Sequence, residues 1–562
     1  MGDVPSTAEH VKASSRHLRG KILEELHLQT DEFSKETVQV LRFHGTYQQK
    51  DRDAKKTGQP AAVGSMVRVG VPGGLLKPEQ YLALDCLAEE AGDGSLRVTA
   101  RQDIQFHKVR KARLKPLIRT LNQNLLSTLA ACGDVVRNVI VCPAASNDRR
   151  WHETVRYALA LSKRLKPATR GYYEIWVDGE KTVTAEPAPD ETEPLYGETY
   201  LPRKFKIGFA PPGDNCVDIY AQDVGIIPEY GADRVEGFTV VAGGGLGASP
   251  GVKATHPRLA SPVAFIAPDQ LTSVVEAIIG IHRDFGNRSN RKLARLKYVI
   301  DEWGLEKFRA ELEQRLGAPL VDPRPLEWHS GHDHLGWHDE GDGFFYLGVR
   351  VINGRIVDRP GAALRSALRT LAAGGAVREI RLTPQQNVLL TGIATADRAG
   401  VERTLREAGI PMAEELPAVL KHSMACPALP TCGQAVTEAE RISPEVISDL
   451  RQKLGALGLD EEDIVVRITG CHNGCARPLT AEIGIVGQSV DLYSIFLGGS
   501  TLGTRLAFPF ATNVKRSEIG AALEPVFAQF RDRRLTGEPF GDFCRRLGVE
   551  ALQSRASEAE VV

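Results

Sequence analysis

Residues 424–432 read MACPALPTC and residues 469–475 read TGCHNGC. Each stretch holds two cysteines, separated by five residues in the first stretch and by three in the second. A 4Fe-4S cluster needs one thiolate for each iron, and two short loops with two thiolates each can supply them. Proline and glycine beside the cysteines are typical of loops that turn backbone N–H groups toward cluster sulfurs. The pattern favours an iron–sulfur site with the ligands Cys426, Cys432, Cys471 and Cys475.

Two other interpretations of the four cysteines stay open at this point. Structural zinc also takes four cysteines, although paired zinc ligands are mostly two to four residues apart, so a spacing of five fits poorly. Buried thiols without a metal are the third interpretation, because free cysteine is often found in protein interiors. The spacing favours the cluster over both.

The length and composition indicate a multidomain globular protein. With 562 residues, the chain is too long for one ordinary core, and we expect three or more domains. Apolar residues make up 42% and charged residues 25%. The formal net charge is −1, so we predict neither nucleic acid nor a membrane as a partner. Any anion must be recognised by a local concentration of positive charge.

The other cysteines indicate a reducing compartment. They are scattered and odd in number, which argues against a disulfide framework. They are Cys86, Cys132, Cys142, Cys216 and Cys544. The first residues are acidic and polar without an apolar signal core, and no apolar run has the length of a membrane span. The sequence predicts a soluble, cytoplasmic protein.

The chain carries one order of predicted elements twice, after a polar stretch at 1–60 with a helix at 13–28. The first copy has a strand at 67–71, a helix at 78–91, a strand at 95–107 and a helix at 114–126. The second copy has a strand at 345–351, a hairpin turn at 353–354, a helix at 362–373 and a strand at 378–390. RVTARQD at 97–103 and RLTPQQN at 381–387 share Arg, Thr and Gln at one offset of 284 residues. This self-similarity indicates an internal duplication.

A glycine-rich turn follows an apolar strand in each half of the chain. The first reads VVAGGGLG at 240–247 and the second reads IFLGGSTLG at 495–503. Neither fits the Gly-x-Gly-x-x-Gly pattern that opens a helix in a βαβ unit, so we reject a Rossmann fold. The chain is predicted to have the order A–B–A′–B′, in which A and A′ are small α+β halves.

Six basic residues in predicted strands form a second signal. Arg97 and Arg101 are four residues apart in one predicted strand and would share a face. Lys204 and Lys206 would also share one face, opposite an aromatic residue. Arg137 interrupts an otherwise apolar strand, where an unpaired charge is expensive, so we expect an anionic partner. A solvated face is the ordinary explanation for any one of them alone. The six are Arg68, Arg97, Arg101, Arg137, Lys204 and Lys206.

Together these features resemble the siroheme-containing sulfite and nitrite reductase family. The resemblance rests on the cysteine spacing, including the 38 residues between the two pairs, and it spans nearly the whole chain. It also rests on RFHGTYQQ at 42–49, RQDIQFH at 101–107, LPRKFK at 201–206, GNR at 286–288 and FGDF at 540–543. Within the family, the chain most resembles the hemoprotein (beta) subunit of the bacterial NADPH-dependent assimilatory type.

The resemblance implies a duplicated α+β fold with two ferredoxin-like half-domains and two siroheme- and cluster-binding α/β domains. We predict an N-terminal arm at 1–62, half-domains at 63–133 and 333–412, and α/β domains at 134–332 and 413–562. The arm is a candidate docking element for an electron donor, although a solvated tail is the ordinary expectation for its composition.

The resemblance also implies the cofactors and the residues around them. The four cysteines would hold a 4Fe-4S cluster, and Cys475 would bridge the cluster to the siroheme iron as its axial ligand. The distal anion pocket would consist of Arg68, Arg137, Lys204 and Lys206. The macrocycle or its carboxylates would contact Arg97, Arg101, Gln105, His107 and Asn473. Arg295 lies where a lysine is expected, which leaves its role open.

The implied activity is the six-electron reduction of sulfite to hydrogen sulfide in sulfate assimilation and cysteine biosynthesis. The arginines would bind the anion and the lysines would deliver protons, because the pKa of lysine is movable. Electrons would come from a flavoprotein (alpha) subunit that oxidises NADPH, or from ferredoxin as in the related type. Two alternatives stay open: a siroheme nitrite reductase and a non-catalytic, metal-stabilised scaffold.

Overall fold

The computed structural model describes residues 4–54, 58, 61–168, 175–177, 180–183 and 192–554. This part of the chain contains four five-stranded sheets surrounded by helices, which confirms the predicted mixed α+β class. We number these sheets 1 to 4. No helix in the described ranges is both long enough and apolar enough to cross a membrane.

Sheets 1 and 2 are two copies of one arrangement that exchange their last strands. Sheet 1 has the order Thr46–Lys50, Val63–Val69, Ile104–Val109, Leu96–Val98 and Arg355–Ile356. Sheet 2 has the order Gly336–Gly341, Phe344–Val349, Val388–Ala394, Glu379–Leu382 and Leu75–Leu76. The last strand of each sheet comes from the other copy. Both sheets and their helices bury one shared hydrophobic core, so the two copies form a single body.

Sheets 3 and 4 are also two copies of one arrangement. Sheet 3 has the order Ile140–Val141, Ile207–Phe209, Val224–Tyr230, Val235–Ala242 and Ser261–Ile266. Sheet 4 has the order Ser423–Ala425, Val466–Thr469, Ile483–Ser489, Leu492–Leu497 and Phe508–Lys515. In both sheets the first three strands are parallel, and the last three are antiparallel neighbours. Each predicted glycine-rich turn directly follows the fourth strand of its sheet.

Helices cover the sheets and connect them. They are Thr7–Ala13, Ile22–His27, Lys35–Leu41, Pro78–Ala91, Lys111–Gln123, Arg149–Arg164, Leu271–Phe285, Leu296–Leu316, Leu364–Ala373, Arg398–Glu407, Ala418–Lys421, Ser443–Ala456, Ile519–Arg533 and Phe540–Ser554. Three two-stranded pairs complete the described structure. They join Gly213–Asp214 to Trp328–Ser330, Asp358–Arg359 to Ala362–Ala363, and Ile175–Val177 to Glu180–Val183.

Two long predicted strands are each broken by a tight turn. The predicted strand at 95–107 reverses at Gln102, and the one at 378–390 reverses at Gln386, where φ is 56° and 70° respectively. The prediction that Arg97 and Arg101 share a face of one strand is therefore wrong, because Arg101 lies in the turn. Both glutamines occupy the same left-handed position of the two repeats, which supports the duplication.

Two further local predictions are wrong. Residues 353–354 are not a hairpin turn, because the strand before them belongs to sheet 2 and the strand after them pairs in sheet 1. Only Ile22–His27 of the predicted helix at 13–28 is helical beyond Ala13, where the preceding helix ends, since residues 16–18 all have positive φ and interrupt the helical conformation.

The N-terminal residues pack onto the body of the protein. The strand Thr46–Lys50 is the edge of sheet 1, so the predicted boundary between residues 62 and 63 runs through that sheet. Lys12 is buried, and its Nζ donates to Leu201 O at 2.8 Å. Phe33 and Leu41 belong to the core that sheets 1 and 2 share. The expectation of a solvated tail is therefore wrong for this segment.

Candidate active site

The two cysteine loops leave the same edge of sheet 4. Strands Ser423–Ala425 and Val466–Thr469 are parallel neighbours, and Cys426 and Cys471 come at or just after their carboxyl ends. Parallel neighbours end at the same edge of a sheet, so the two loops meet there. The backbone N–H of Gly470 donates to Cys426 Sγ at 3.4 Å. A loop from one strand thus supports the sulfur that follows the other.

Cys475 lies close enough to the other three cysteines to affect the ionisation of their thiols. Burial raises the pKa of Cys426, and the neighbouring Cys475 raises it further. Burial and Cys475 together raise the pKa of Cys471 to about 11, and the same two causes raise the pKa of Cys432. Thiols bind a metal as deprotonated thiolates, and the positive charge of the metal stabilises several thiolates that lie close together. The grouping therefore suits a metal cluster, with Cys475 as its exposed member.

An open cleft of about 260 Å³ lies against the second cysteine loop, where Asn473 and Gly474 form part of its wall. Among the described residues that line the cleft, seven are basic and none is acidic. The basic residues are Arg203, Lys204, Lys206, Arg291, Lys292, Arg295 and Arg477. A cleft lined by one sign of charge concentrates ions of the opposite sign. The site is built to receive an anion next to the cysteines.

Lys204 and Lys206 both face the cleft, as the alternation around Phe205 predicts. Phe205 is fully buried in the core on the opposite side. Burial and the neighbouring guanidinium groups of Arg203 and Arg295 lower the pKa of Lys204 to about 7. Burial lowers the pKa of Lys206 well below its ordinary value, with Arg295 adding to the effect. A lysine with a pKa of about 7, such as Lys204, can release and accept protons near neutral pH.

Arg68 and Gln105 face each other across adjacent strands of sheet 1. With its amide oriented to accept, Gln105 Oε1 receives hydrogen bonds from Arg68 Nη2 at 2.7 Å and from Arg68 Nε at 3.2 Å. Burial disfavours the charge of Arg68, but Cys132, Asp103, Tyr47 and Cys475 together outweigh burial and raise the pKa of Arg68. Arg68 therefore stays charged within electrostatic reach of the cysteine loop.

Arg137 lies before a strand rather than within one. The strand of sheet 3 is Ile140–Val141, which is shorter than the predicted one. The backbone N–H of Arg137 donates to Phe205 O at 2.8 Å, and its Nε donates to Gly133 O at 2.8 Å. This pairing with the Lys204–Lys206 segment places Arg137 among the charges that lower the pKa of Lys204, after burial, Arg203 and Arg295.

Arg97 and Arg101 are both buried and bonded to protein acceptors. Arg97 forms an ion pair with Glu440, and its Nη2 donates to Ala425 O at 3.0 Å, one residue before Cys426. Arg101 Nη1 donates to Gln222 Oε1 at 2.7 Å, while its Nε lacks a partner among the described residues. Contact of Arg97 and Arg101 with a macrocycle stays a prediction. The hydrogen bond to Ala425 shows that Arg97 positions the first cysteine loop.

His107 is almost fully buried, and both of its ring nitrogens lack a hydrogen-bond partner among the described residues. Burial, together with the charges of Arg355 and Arg97, lowers the pKa of His107 well below its ordinary value, so the ring is neutral. Asn473 lies at the cleft, and its Nδ2 donates to Cys471 Sγ at 3.5 Å. Unsatisfied buried polar atoms such as those of His107 indicate a missing partner.

The fold and the site agree with one known family. Residues 132–320 match the nitrite and sulphite reductase 4Fe-4S domain. Residues 58–124 and 338–408 match the nitrite/sulfite reductase ferredoxin-like half domain. The chain belongs to the nitrite and sulphite reductase family. The two half-domain matches agree with the two copies seen in sheets 1 and 2.

Relatives within the family cover almost the whole chain. A protein of Synechococcus elongatus, named sulfite reductase (ferredoxin), is 42% identical over 98% of this chain and 90% of its own length. A protein of Myxococcus xanthus, named sulfite reductase (NADPH) hemoprotein beta-component, is 43% identical over 98% of this chain and 99% of its own length. The solved structure of the NirA protein of Mycobacterium tuberculosis has a TM-score of 0.80 at 24% identity, covers 98% of each chain and shares the fold.

Five basic residues of the cleft were not among the predicted site residues, and two of them, Arg295 and Arg477, form buried ion pairs. Arg295 donates from Nη2 to both carboxylate oxygens of Asp223 at 2.8 Å, and this ion pair is buried. Arg477 forms a buried ion pair with Asp218. Arg477 comes two residues after Cys475, so its place in the cysteine loop was the signal that could have identified it. The carboxylates that hold these arginines come from distant sequence and gave no such signal.

The loops of sheets 3 and 4 contact each other at the site. The glycine-rich turn after the fourth strand of sheet 3 reaches the second cysteine loop, where the N–H of Ala248 donates to His472 O at 3.1 Å. The glycine-rich turn after the fourth strand of sheet 4 reaches the equivalent loop of sheet 3, where Asn215 Nδ2 donates to Leu502 O at 2.7 Å. The glycine-rich turn of each sheet therefore supports a loop of the other sheet.

Proposed function

We propose that this chain reduces sulfite to hydrogen sulfide in the basic cleft, with a siroheme and a 4Fe-4S cluster as cofactors. The observation that carries the proposal is the shared wall between cleft and cysteine loop, because Asn473 and Gly474 lie between Cys471 and Cys475 and also line the cleft. Anion binding and a thiolate-held metal centre therefore meet at one place. The names of the Synechococcus and Myxococcus relatives agree with this reaction.

The residues at the site fit these cofactors. Four grouped thiols are the ligand set of a 4Fe-4S cluster. Siroheme carries many carboxylates, and the seven basic residues of the cleft can neutralise them. The ring nitrogens of His107 and Nε of Arg101 are buried and have no hydrogen-bond partner among the described residues, so they can bond to a bound cofactor. When bound, the coupled cofactors would supply electrons one at a time to the bound substrate.

We assign two kinds of work to the residues around the anion. Arg68 and Arg137 are not among the residues that line the cleft, but their charges act on Cys475 and on Lys204 respectively. We assign them to bind and orient the anion, because a guanidinium group keeps its charge and presents several donors. Lys204 donates protons to the oxygens that leave as water, since its pKa of about 7 lets it give up a proton near neutral pH. Lys206 supports this transfer and is reprotonated from the solvent that fills the cleft.

Electrons are proposed to come from a separate protein. Our first candidate is a flavoprotein subunit that takes electrons from NADPH, as the name of the Myxococcus relative suggests. The second candidate is ferredoxin, as the name of the Synechococcus relative suggests. The two relatives are almost equally similar to this chain, so identity alone does not choose between them.

Nitrite reduction on the same scaffold is the second candidate function, because the family includes both activities. The density of positive charge favours sulfite, which carries more negative charge than nitrite. Besides Lys204 and Lys206, the cleft is lined by five further arginine or lysine residues. A steady-state comparison of the two anions with one artificial donor measures this preference directly.

The test of the proposed function begins with the purified protein. A visible absorption spectrum and an iron assay should show siroheme together with a 4Fe-4S cluster. Reduced methyl viologen should then drive the conversion of sulfite to sulfide, measured as sulfide produced per donor oxidised. A protein with both cofactors that consumes nitrite but not sulfite would support the second candidate. A protein that binds neither cofactor after reconstitution would contradict both.

A further inference from the structure

A second group of potential metal-binding side chains involves none of the four cysteines described above. The donor atoms of Cys142, Asp214, Cys216 and His334 all lie within 4.8 Å of one another. Cys142 Sγ is 3.4 Å from both Asp214 Oδ2 and His334 Nε2, and these last two atoms are 3.1 Å apart. Both cysteines are buried. The four groups therefore face one point.

This group occupies the position in sheet 3 that the cysteine loops occupy in sheet 4. Cys142 directly follows the strand Ile140–Val141, as Cys426 follows Ser423–Ala425. The duplicated sheets have the same strand order, so these two cysteines are equivalent.

The second loop is equivalent too. Asp214 and Cys216 lie between the strand Ile207–Phe209 and the short helix Ile219–Ala221. In the other half, Cys471 and Cys475 lie between the strand Val466–Thr469 and the short helix Pro478–Thr480. The residues 132–320 that hold this loop match the 4Fe-4S domain of the family. The duplication thus places a second set of soft ligands at the corresponding edge.

The distances fit one metal ion rather than a cluster. With Zn–S of about 2.3 Å and Zn–N or Zn–O of about 2.0–2.2 Å, tetrahedral coordination places neighbouring ligand atoms about 3.3–3.8 Å apart. The three printed separations among Cys142, Asp214 and His334 are 3.1–3.4 Å, close to these edges. Two thiolates, one imidazole and one carboxylate form a donor set that zinc prefers.

The arrangement does not suit a catalytic cysteine. In a catalytic triad, the nucleophilic thiol contacts one nitrogen of the histidine ring and the orienting carboxylate contacts the other nitrogen. Here Cys142 and Asp214 both approach Nε2 of His334. Convergence on a single nitrogen is expected where that nitrogen and both partners bind one ion.

The surrounding hydrogen bonds hold the donors in place. The N–H of Cys216 donates to Asp214 Oδ1 at 2.9 Å, which leaves Oδ2 directed at the other donors. The N–H of His334 donates to Asp333 Oδ1 at 3.1 Å, and Asp333 Oδ2 accepts from Asn387 Nδ2 at 2.7 Å. Outer hydrogen bonds of this kind orient metal ligands.

We propose that Cys142, Asp214, Cys216 and His334 bind one structural Zn²⁺. Four protein ligands close the coordination sphere, as in structural zinc sites. The ion joins His334, two residues before sheet 2 begins, to the loops at the edge of sheet 3. Through the same loop it supports Asp218, whose carboxylate holds Arg477 in the cleft. Its role is to fix the junction of the two halves.

The full-length, cofactor-loaded protein tests this assignment by metal analysis. Purified wild-type protein, desalted after incubation with equimolar Zn²⁺, should contain about one zinc per chain. Zinc-edge absorption spectroscopy should show two sulfur and two nitrogen or oxygen ligands. Cys216→Ser and His334→Gln should lose the zinc while iron content and visible absorption stay at the wild-type level. The matched controls Cys86→Ser and His329→Gln change exposed residues and should keep it.

Three results would overturn the proposal. Wild-type protein without zinc, in which mass spectrometry finds a disulfide between Cys142 and Cys216, would assign the pair to a disulfide. Wild-type protein without zinc but with both thiols free to alkylation would show that the group binds no zinc. A zinc signal that survives both substitutions would place the ion elsewhere. The wild-type measurements stand even if a variant fails to fold, and they do not depend on sulfite turnover.

Discussion

Arg477 donates from Nε to the carboxylate of Asp218, and this ion pair joins the cysteine loop of one half to the corresponding loop of the other. Arg467 donates to the same carboxylate oxygen at 2.8 Å. All three side chains are buried. One carboxylate therefore balances two guanidinium groups, and one of these lines the cleft.

Asp218→Asn should destabilise the protein by about 3–5 kcal/mol, because it leaves two buried guanidinium groups without their counter-charge. Burial alone would raise the pKa of Asp218, but Arg467 and Arg477 lower it below its ordinary value. The contribution of this carboxylate is therefore present above its unfolded pKa, near 4, and is lost as the pH falls. Denaturant unfolding at several pH values measures both effects.

Asp532→Asn is the matched control for that variant. Asp532 is fully exposed and pairs with the neighbouring Arg531. Exposed ion pairs contribute little, so the control should unfold like the wild type. Equal unfolding of the two variants would contradict the importance of the buried pair.

Lys204→Met should slow sulfite turnover by roughly 10²- to 10⁴-fold while both cofactors stay bound, because it removes a proton donor and no metal ligand. The protonated amine is the active form, and burial lowers its pKa to about 7. Wild-type turnover should therefore fall as the pH rises through about 7, and the variant should lose this dependence. Viologen-driven rates across this pH range provide the measurement. Lys206→Met should show a loss in the same direction.

Lys253→Met is the control for the lysine variants, since Lys253 is exposed outside the cleft. It should retain the wild-type rate and pH profile. If Lys204→Met keeps both as well, Lys204 is not the proton donor.

The sequence predicted the parts of the site that depend on local pattern. The spacing of Cys471 and Cys475 identified the cysteine loop, and the alternation around Phe205 identified the face of the two lysines. It did not predict contacts between distant segments. Arg477 and Asp218 are 259 residues apart, and Cys142 and His334 are 192 apart. No periodicity links such pairs, because they meet only when the duplicated sheets pack together.

The ion-pair partner of Arg97 also could not be predicted from the sequence. Its type and strand position suggested an anion-binding role, yet its charge is balanced by Glu440, which is 343 residues away. A basic residue in a strand does not reveal whether its partner is a ligand or another part of the chain. The turn at Gln102 was missed because a single residue with positive φ leaves little trace in the hydrophobic pattern.

Cys475→Ser should disrupt the proposed metal centre, because Cys475 is one of the four thiols that would hold the cluster and a hydroxyl group is a poorer iron ligand than a thiolate. Sulfite turnover should fall to near background, and the visible spectrum should change. Cys86→Ser, at an exposed cysteine outside the site, should leave both unchanged. Full turnover with a normal spectrum in Cys475→Ser would show that Cys475 is not needed to hold the cofactors.

The last prediction concerns the electron donor. The purified chain should reduce sulfite with reduced methyl viologen and stay inactive with NADPH alone. Addition of a flavoprotein reductase subunit from the same source should restore NADPH-driven turnover if the chain functions in the NADPH-dependent way. Sulfide production is then compared with equal electron input from reduced ferredoxin. Efficient turnover with ferredoxin and none with the flavoprotein would assign the chain to the ferredoxin-dependent type, while viologen-driven activity, common to both, would keep the sulfite reductase assignment intact.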